Sequence, residues 1–206
     1  MANYQFGRFT KTRIEAFSDG VFAIIVTLLV LEIKIPDLHE YNNRVIIHSI
    51  LALLPKIIIW MNSFLIVCVI WMNHHRLMDM FDGIDAGIFW LNNLLLMFAS
   101  LIPFPTAVVG EYPASEAALS FYGICLALPA LCFFIWRSYV LQHLDLLKKE
   151  VEIAVFKKGT RLSLIYGPCL YVAGAALSWV NTWLGFIIYF FIPVYFIFPK
   201  ATKTKN

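Results

Sequence analysis

The chain has 206 residues, of which 61% are hydrophobic and only 14% charged, with a formal net charge of +3 and a mean hydropathy of +0.76. This composition lies far from the soluble average and excludes a water-soluble globular domain. It reads as an integral membrane protein, and so small a positive charge gives no reason to invoke nucleic acid as a partner.

A span needs about 20 mostly apolar residues, and six stretches qualify, at roughly 13–35, 46–72, 87–109, 117–140, 161–180 and 183–199. The expected fold class is therefore an all-α membrane protein, a single domain over 1–206 with six transmembrane helices per subunit. The first segment follows Arg8, Lys11 and Arg13 but lacks a small-residue cleavage site, so it reads as a retained span rather than a signal peptide. Thr12-Arg13-Ile14-Glu15 fits a capping box, with Thr12 as N-cap and Glu15 at the third helical position. A helix starting there places Asp19 about two turns inside, where a carboxylate is by default functional or paired. At about 100° per residue, Arg13, Phe17, Gly20, Ile24, Thr27, Leu28, Leu31 and Ile35 share one face. Glu15, Asp19, Phe22, Ala23, Val26 and Val30 share roughly the opposite one. Asp19 therefore looks away from the Ile24/Leu28/Leu31 stripe.

In the second span, Lys56 follows Pro55 and either lines a pathway or snorkels to the outer interface. Trp71, Asn73, His74 and His75 at its end, and Asn92 and Asn93 early in the third span, share a leaflet with Ser18 and Asp19. These groups can satisfy one another's hydrogen bonds away from lipid, although a hydrated His74/His75 loop pair is an equal alternative. No metal is expected: adjacent histidines diverge on a helix, and no H-E-x-x-H accompanies Asp79 or Asp82. Residues 106–112, TAVVGEY, echo a carbonyl filter but lack its second glycine and its preceding pore helix, so an external turn is expected. From Gln142 to Gly159, Leu144, Leu147, Val151 and Val155 predict a short amphipathic helix on the cytoplasmic surface. Cys68, Cys125, Cys132 and Cys169 lie in apolar spans without paired metal-ligand spacing and read as buried small hydrophobes.

Lysines and arginines avoid alternate loops, 13 on one side against 2 on the other (Lys34 and Arg44). This bias predicts a multi-pass protein of the cell membrane with both termini cytoplasmic. No Ser or Cys sits in a nucleophile motif with a base in reach, so no enzyme is expected. No span carries regularly spaced arginines, so a voltage sensor is not supported.

The motifs R-x-x-x-F-S-D-G at 13–20, P-K at 55–56 followed by S-F, W-M-N-H-H-R at 71–76, W-L-N at 90–92 and P-F-P-T at 103–106 form a distinctive set. Together they resemble the prokaryotic single-repeat relatives of transmembrane protein 175, the lysosomal potassium channel. The resemblance implies a homotetramer in which the first helix of each subunit lines a central pore. It implies that Arg13, Phe17, Ser18 and Asp19 brace that helix, with Trp71, His74 and Asn92 as partners. Ile24, Leu28 and Leu31 match apolar pore rings, and Thr27 a hydroxyl beside the constriction. The expected function is a potassium-selective cation channel with a hydrophobic gate, needing no cofactor beyond the permeant potassium ion. Its expected partners are potassium ions, the lipid bilayer and further copies of itself. The alternative is a proton-coupled carrier using Asp19 and His74, although neither the inverted repeat nor the broken mid-membrane helices common in carriers is found.

Overall fold

The structure is a computed structural model describing residues 10–34 and 42–197, except the side chains of 195 and 197. Arg8, Ile35, Lys200, Lys203 and Lys205 lie outside the described residues.

Helix α1 spans Lys11–Val30, and its N-cap is the extended Thr10, not Thr12. The expected capping box is corrected: Arg13 N–H bonds to the Thr10 carbonyl at 3.0 Å, and Glu15 reaches Lys11 at 3.8 Å instead of turning back onto a cap. Because the true start is only slightly earlier, Asp19 remains about two turns inside.

The second span is two helices, α2 (Asn43–Ala52) and α3 (Leu54–Asp79), separated at Leu53. Pro55 has no N–H to continue the ladder, which accounts for the division. The chain stays helical to Asp79, so the span reaches beyond residue 72. The third span is likewise α4 (Ala86–Ser100) and α5 (Pro103–Glu111). Here the expected external turn over 106–112 is corrected: Thr106 to Glu111 are helical, with Thr106, Val109 and Gly110 buried. Pro103 at the first helical position is pre-set for a new helix, and the chain turns only at 112–115.

Helix α6 (Glu116–Val140) starts on Ser115, whose side chain accepts from Ala118 N–H, and runs through Pro129. The segment after it corrects the predicted amphipathic helix in part: of residues 142–159 only the end, from Ile153, is α-helical. A 3-10 turn at Leu144–Leu146 leads to an antiparallel bridge of Leu147 with Phe81. Asp82 N–H donates to Leu146 O at 3.0 Å and Lys148 N–H to Met80 O at 2.9 Å. Burying Leu147 in this pairing satisfies backbone groups that a surface helix would have used internally, while Leu144 and Val155 stay exposed. Helix α7 (Ile153–Leu164) then passes through a π-helical turn, Ile165–Cys169, into α8 (Leu170–Ser178). Gly167 leaves helical geometry there and Pro168 follows it, a kink with two identifiable causes. Helix α9 is Thr182–Ile197.

Among the described residues, Asn43–Asp79, Ala86–Glu111 and Glu116–Val140 are long and apolar enough to cross a membrane, with a shorter apolar helix at Thr182–Val194. Lys11 Nζ donates to Phe81 O and Tyr139 Oη to Asp85 Oδ2. The start of α1, the ends of α3 and α6 and the start of α4 thus meet at one end, the basic end, which also carries Arg76 and Arg137. At the other end Lys56 pairs with Glu111 at 2.6 Å, which gives the ammonium a partner as the snorkelling alternative requires.

Two packed clusters fill the bundle, one around Phe22, Ile25, Leu29, Ile66, Tyr122 and Tyr189, the other around Ile14, Leu77, Phe81, Leu95, Trp136 and Phe156 at the basic end. Helices α6, α8 and α9 approach closely at Gly123 and Gly174, where an added Cβ would strike the Tyr189 ring or hydroxyl. Cys125 and Cys132 are buried as expected, but Cys68 is only partly buried and Cys169 is exposed in the single chain.

Candidate functional site

Helix α1 has one side committed to the protein. Ile14, Ser18, Phe22, Ile25 and Leu29 are buried, spaced by three and four residues so that they form one stripe, and they pack on α3 and α4. The side turned away carries Arg13, Phe17, Gly20, Ile24, Thr27, Leu28 and Leu31, all exposed. Ile24 is 60%, Leu28 43% and Leu31 64% exposed in the single chain. The face derived from helical periodicity is unpacked, but Ala16, Asp19, Ala23 and Val30 are exposed too, so the uncovered side of α1 is wider than that face, and of the residues assigned opposite it only Phe22 is buried. Nothing within 4 Å would meet a Cβ at Gly20, so this face is open along its length.

Chemically the stripe is plain. Ile24, Leu28 and Leu31 have no side-chain polar atoms, so they can act on a cation only by excluding water. Thr27 donates its hydroxyl proton to Ile24 O at 2.8 Å, which leaves its oxygen lone pairs as acceptors.

The polar residues divide into two groups. Ser18, His74 and Asn92 are buried together: His74 Nε2 lies 2.7 Å from Asn92 Oδ1, and Ser18 Oγ 3.2 Å from the same oxygen. Ser18 Oγ also donates to Ile14 O at 2.8 Å. Asn92 Oδ1 can only accept, so the imidazole presents Nε2–H to it. The His74 ring is wedged between Phe22 and Trp136, with centroids 5.6 Å and 5.7 Å away. His74 thus belongs to a buried cluster, whereas His75 is exposed, stacked on Trp71 and 3.6 Å from Asp79.

Asp19 stands apart. Its Oδ1 accepts from Trp71 Nε1 at 2.8 Å, and both residues are exposed. The expectation that Asp19 is paired holds, with Trp71 as the partner; the expectation that it shares one buried network with His74 and Asn92 is corrected. The reason is angular: Ser18 lies at the centre of the packed stripe and Asp19, one residue on, at its edge. Arg13 and Phe17, expected to brace α1 against neighbouring spans, are not buried in the single chain: both are exposed, and Arg13 has no side-chain hydrogen bond or ion pair among the described residues. Asn93 donates to Phe89 O in its own helix and stays outside the cluster. Among the described residues no group of three His, Cys, Asp or Glu side chains could hold a metal ion.

Periodicity gave no hint of a second buried polar chain linking α3, α5 and α6. Thr106 Oγ1 lies 2.8 Å from Ser63 Oγ, Ser63 Oγ 2.8 Å from Tyr122 Oη, and Asn62 Nδ2 donates to Tyr122 Oη at 3.3 Å. Single polar residues in apolar helices were its one sequence signal, and their meeting depends on how the helices pack.

The chain matches the family model described as "Endosomal/lysosomal potassium channel TMEM175" over residues 13–103. It is 38% identical over 190 residues to a potassium channel of Chamaesiphon minutus, covering 89% of this chain and 92% of that one. It is 30% identical over 197 residues to a potassium channel of a Chryseobacterium species, covering 96% and 97% of the two chains. A crystal structure described as a lysosomal potassium-selective channel TMEM175 homolog from Chamaesiphon minutus superposes with a TM-score of 0.76 at 35% identity, covering 91% of this chain and 96% of that one.

Proposed function

This chain belongs to the TMEM175 channel family, and from that membership we propose that it is a potassium-selective cation channel of the cell membrane. It works as a homotetramer with both termini cytoplasmic. One observation carries the pore assignment: α1 buries Ile14, Ser18, Phe22, Ile25 and Leu29 while leaving Ile24, Leu28 and Leu31 uncovered along the other side. One helix cannot enclose an aqueous path, so several copies of this face must converge on an axis. The family resemblance sets their number at four.

In that assembly the Ile24 ring is the narrowest point of the closed pore, with Leu28 and Leu31 stacked beyond it. Converging branched side chains exclude the water a cation needs, and a small widening or rotation of α1 rewets the path. The Thr27 lone pairs supply the one polar ring among these positions. The Ser18–Asn92–His74 cluster anchors the back of α1 so that the rings keep register, and Asp19 with Trp71 holds its flank. Arg13 and Phe17, uncovered within the subunit, brace α1 against the neighbouring copy.

The carrier reading has less support, because Asp19 and His74 belong to separate hydrogen-bonded groups rather than a relay. Reversal potentials of purified protein in liposomes decide between them. A channel gives a steady current reversing at the potassium equilibrium potential and indifferent to a pH gradient; a reversal that follows the proton gradient in fixed stoichiometry overturns the proposal.

A further inference from the structure

Away from α1, a cavity of about 310 Å³ opens where α3, α6, α7, the π-helical turn and α9 meet. Its lining along α3 runs from Ile66 to Met80, about 21 Å of helix at 1.5 Å per residue, so it is a slot rather than a bowl. Ile70, Leu126, Leu162 and Ile192 give it an apolar lining, whereas Arg76 and Arg137 line its basic end.

Neither arginine has a carboxylate partner among the described residues. Arg137 is half-buried and held in place: Nε donates to Thr160 Oγ1 at 3.2 Å, Nη2 donates to Phe156 O at 3.0 Å, and the guanidinium lies 4.2 Å from the Phe156 ring centroid. Gly159 leaves it room, since a Cβ there would come within 2.6 Å of Arg137 Nη2. A guanidinium offers five N–H groups, so this fixed one has donors to spare. A positioned cation beside an apolar slot, with no anion of its own, is costly unless an anion comes from outside.

We propose that this slot binds an acidic phospholipid. One acyl chain occupies the apolar groove between α3, α6 and α9, and the phosphate sits on Arg76 and Arg137. Arginine is suited to phosphate because its planar donors engage two oxygens at once. The bilayer presents such an amphiphile at the required depth, and its two ends match the two ends of the slot. A free phosphate would leave the groove empty, and a zwitterionic lipid would bring a second cation to the arginines.

Native mass spectrometry of the detergent-purified full-length protein with phosphatidylglycerol or phosphatidylcholine tests this. Phosphatidylglycerol is expected to bind at least about tenfold more tightly than phosphatidylcholine. Arg76→Gln combined with Arg137→Gln is expected to remove that preference, while Lys157→Gln with Lys158→Gln, an equal charge loss outside the slot, retains it. Leu162→Trp, which fills the groove at constant charge, is expected to weaken phosphatidylglycerol binding as well. If the arginine double variant does not elute as folded protein, Arg76→Gln alone carries the test, with a loss of about fivefold expected. Equal binding of the two lipids, equal losses in the two double variants, or complete displacement by inorganic phosphate or oleate at matched concentration would each overturn the proposal.

Discussion

Asn92 is the hinge of the buried cluster, and replacing it with Leu separates what its two neighbours contribute. Ser18 keeps its bond to Ile14 O, so losing Asn92 strands nothing there. His74 Nε2–H has Asn92 Oδ1 as its acceptor at 2.7 Å and is left buried without it, at roughly 1–3 kcal/mol. Two effects reduce that figure. Asn92 Nδ2 is already buried without a partner among the described residues, so its removal offsets part of the loss. Hydrogen bonds between membrane helices also average only about 0.6 kcal/mol, with a maximum near 1.7. The expected net cost of Asn92→Leu is therefore about 1 kcal/mol, or about 2–4 °C in thermal midpoint for a chain of this size. Thermal unfolding in detergent, run as double-mutant cycles, should give a larger coupling for the Asn92/His74 pair than for Asn92/Ser18. A Ser18 coupling equal to or above the His74 coupling would refute this division of roles.

Ile24→Asn supplies polar atoms at the narrowest ring and is expected to raise resting current, whereas Val26→Asn, packed against the core, is expected to lower folded yield without raising current; single-channel recording and size-exclusion chromatography check the pair. Asp19→Ala leaves Trp71 Nε1 without its acceptor and is expected to lower assembled yield more than Asp19→Asn, which keeps an acceptor oxygen, by native gel; the cost is under about 1 kcal/mol because both side chains are exposed. Gly20→Leu meets open space within the subunit and is expected to leave the subunit folded by circular dichroism while blocking assembly or current. Gly123→Ala drives a methyl into the Tyr189 hydroxyl, which donates to Leu119 O at 3.2 Å, and should cost about 1–3 kcal/mol of stability.

The membrane class and the uncovered position of Ile24, Leu28 and Leu31 on α1 were legible, because each rests on an average over many residues. Hydropathy summed over about 20 positions and a period repeated over five turns tolerate local error. The pairing of Ser18 and His74 with Asn92 was legible because all three lie at one depth in the bundle. What failed was decided by single contacts. Thr12 looked like a cap until the backbone of Thr10 took the role. The TAVVGEY turn gave way to a helix started by Pro103. The first half of the surface helix predicted after Gln142 gave way to a bridge between Leu147 and Phe81, two residues far apart in sequence, and only the part from Ile153 on is helical. Asp19 and Ser18 are neighbours in the chain but fall on either side of the packing boundary, and one residue of helical phase separates a buried bond from an exposed one.

Cysteine accessibility along α1 tests the pore assignment most directly. Starting from a protein with Cys68, Cys125, Cys132 and Cys169 replaced, Leu28→Cys, Leu31→Cys and Val30→Cys are each treated with a small cationic thiol reagent during potassium current recording. All three positions are exposed in the single subunit, so exposure alone does not distinguish them, but Val30 points about 100–160° away from the two leucines around the helix. Modification at positions 28 and 31 is expected to block the potassium current, with position 30 silent. Block at position 30 with silence at 28 and 31 would contradict the account and put the pore axis on the Asp19 side of α1.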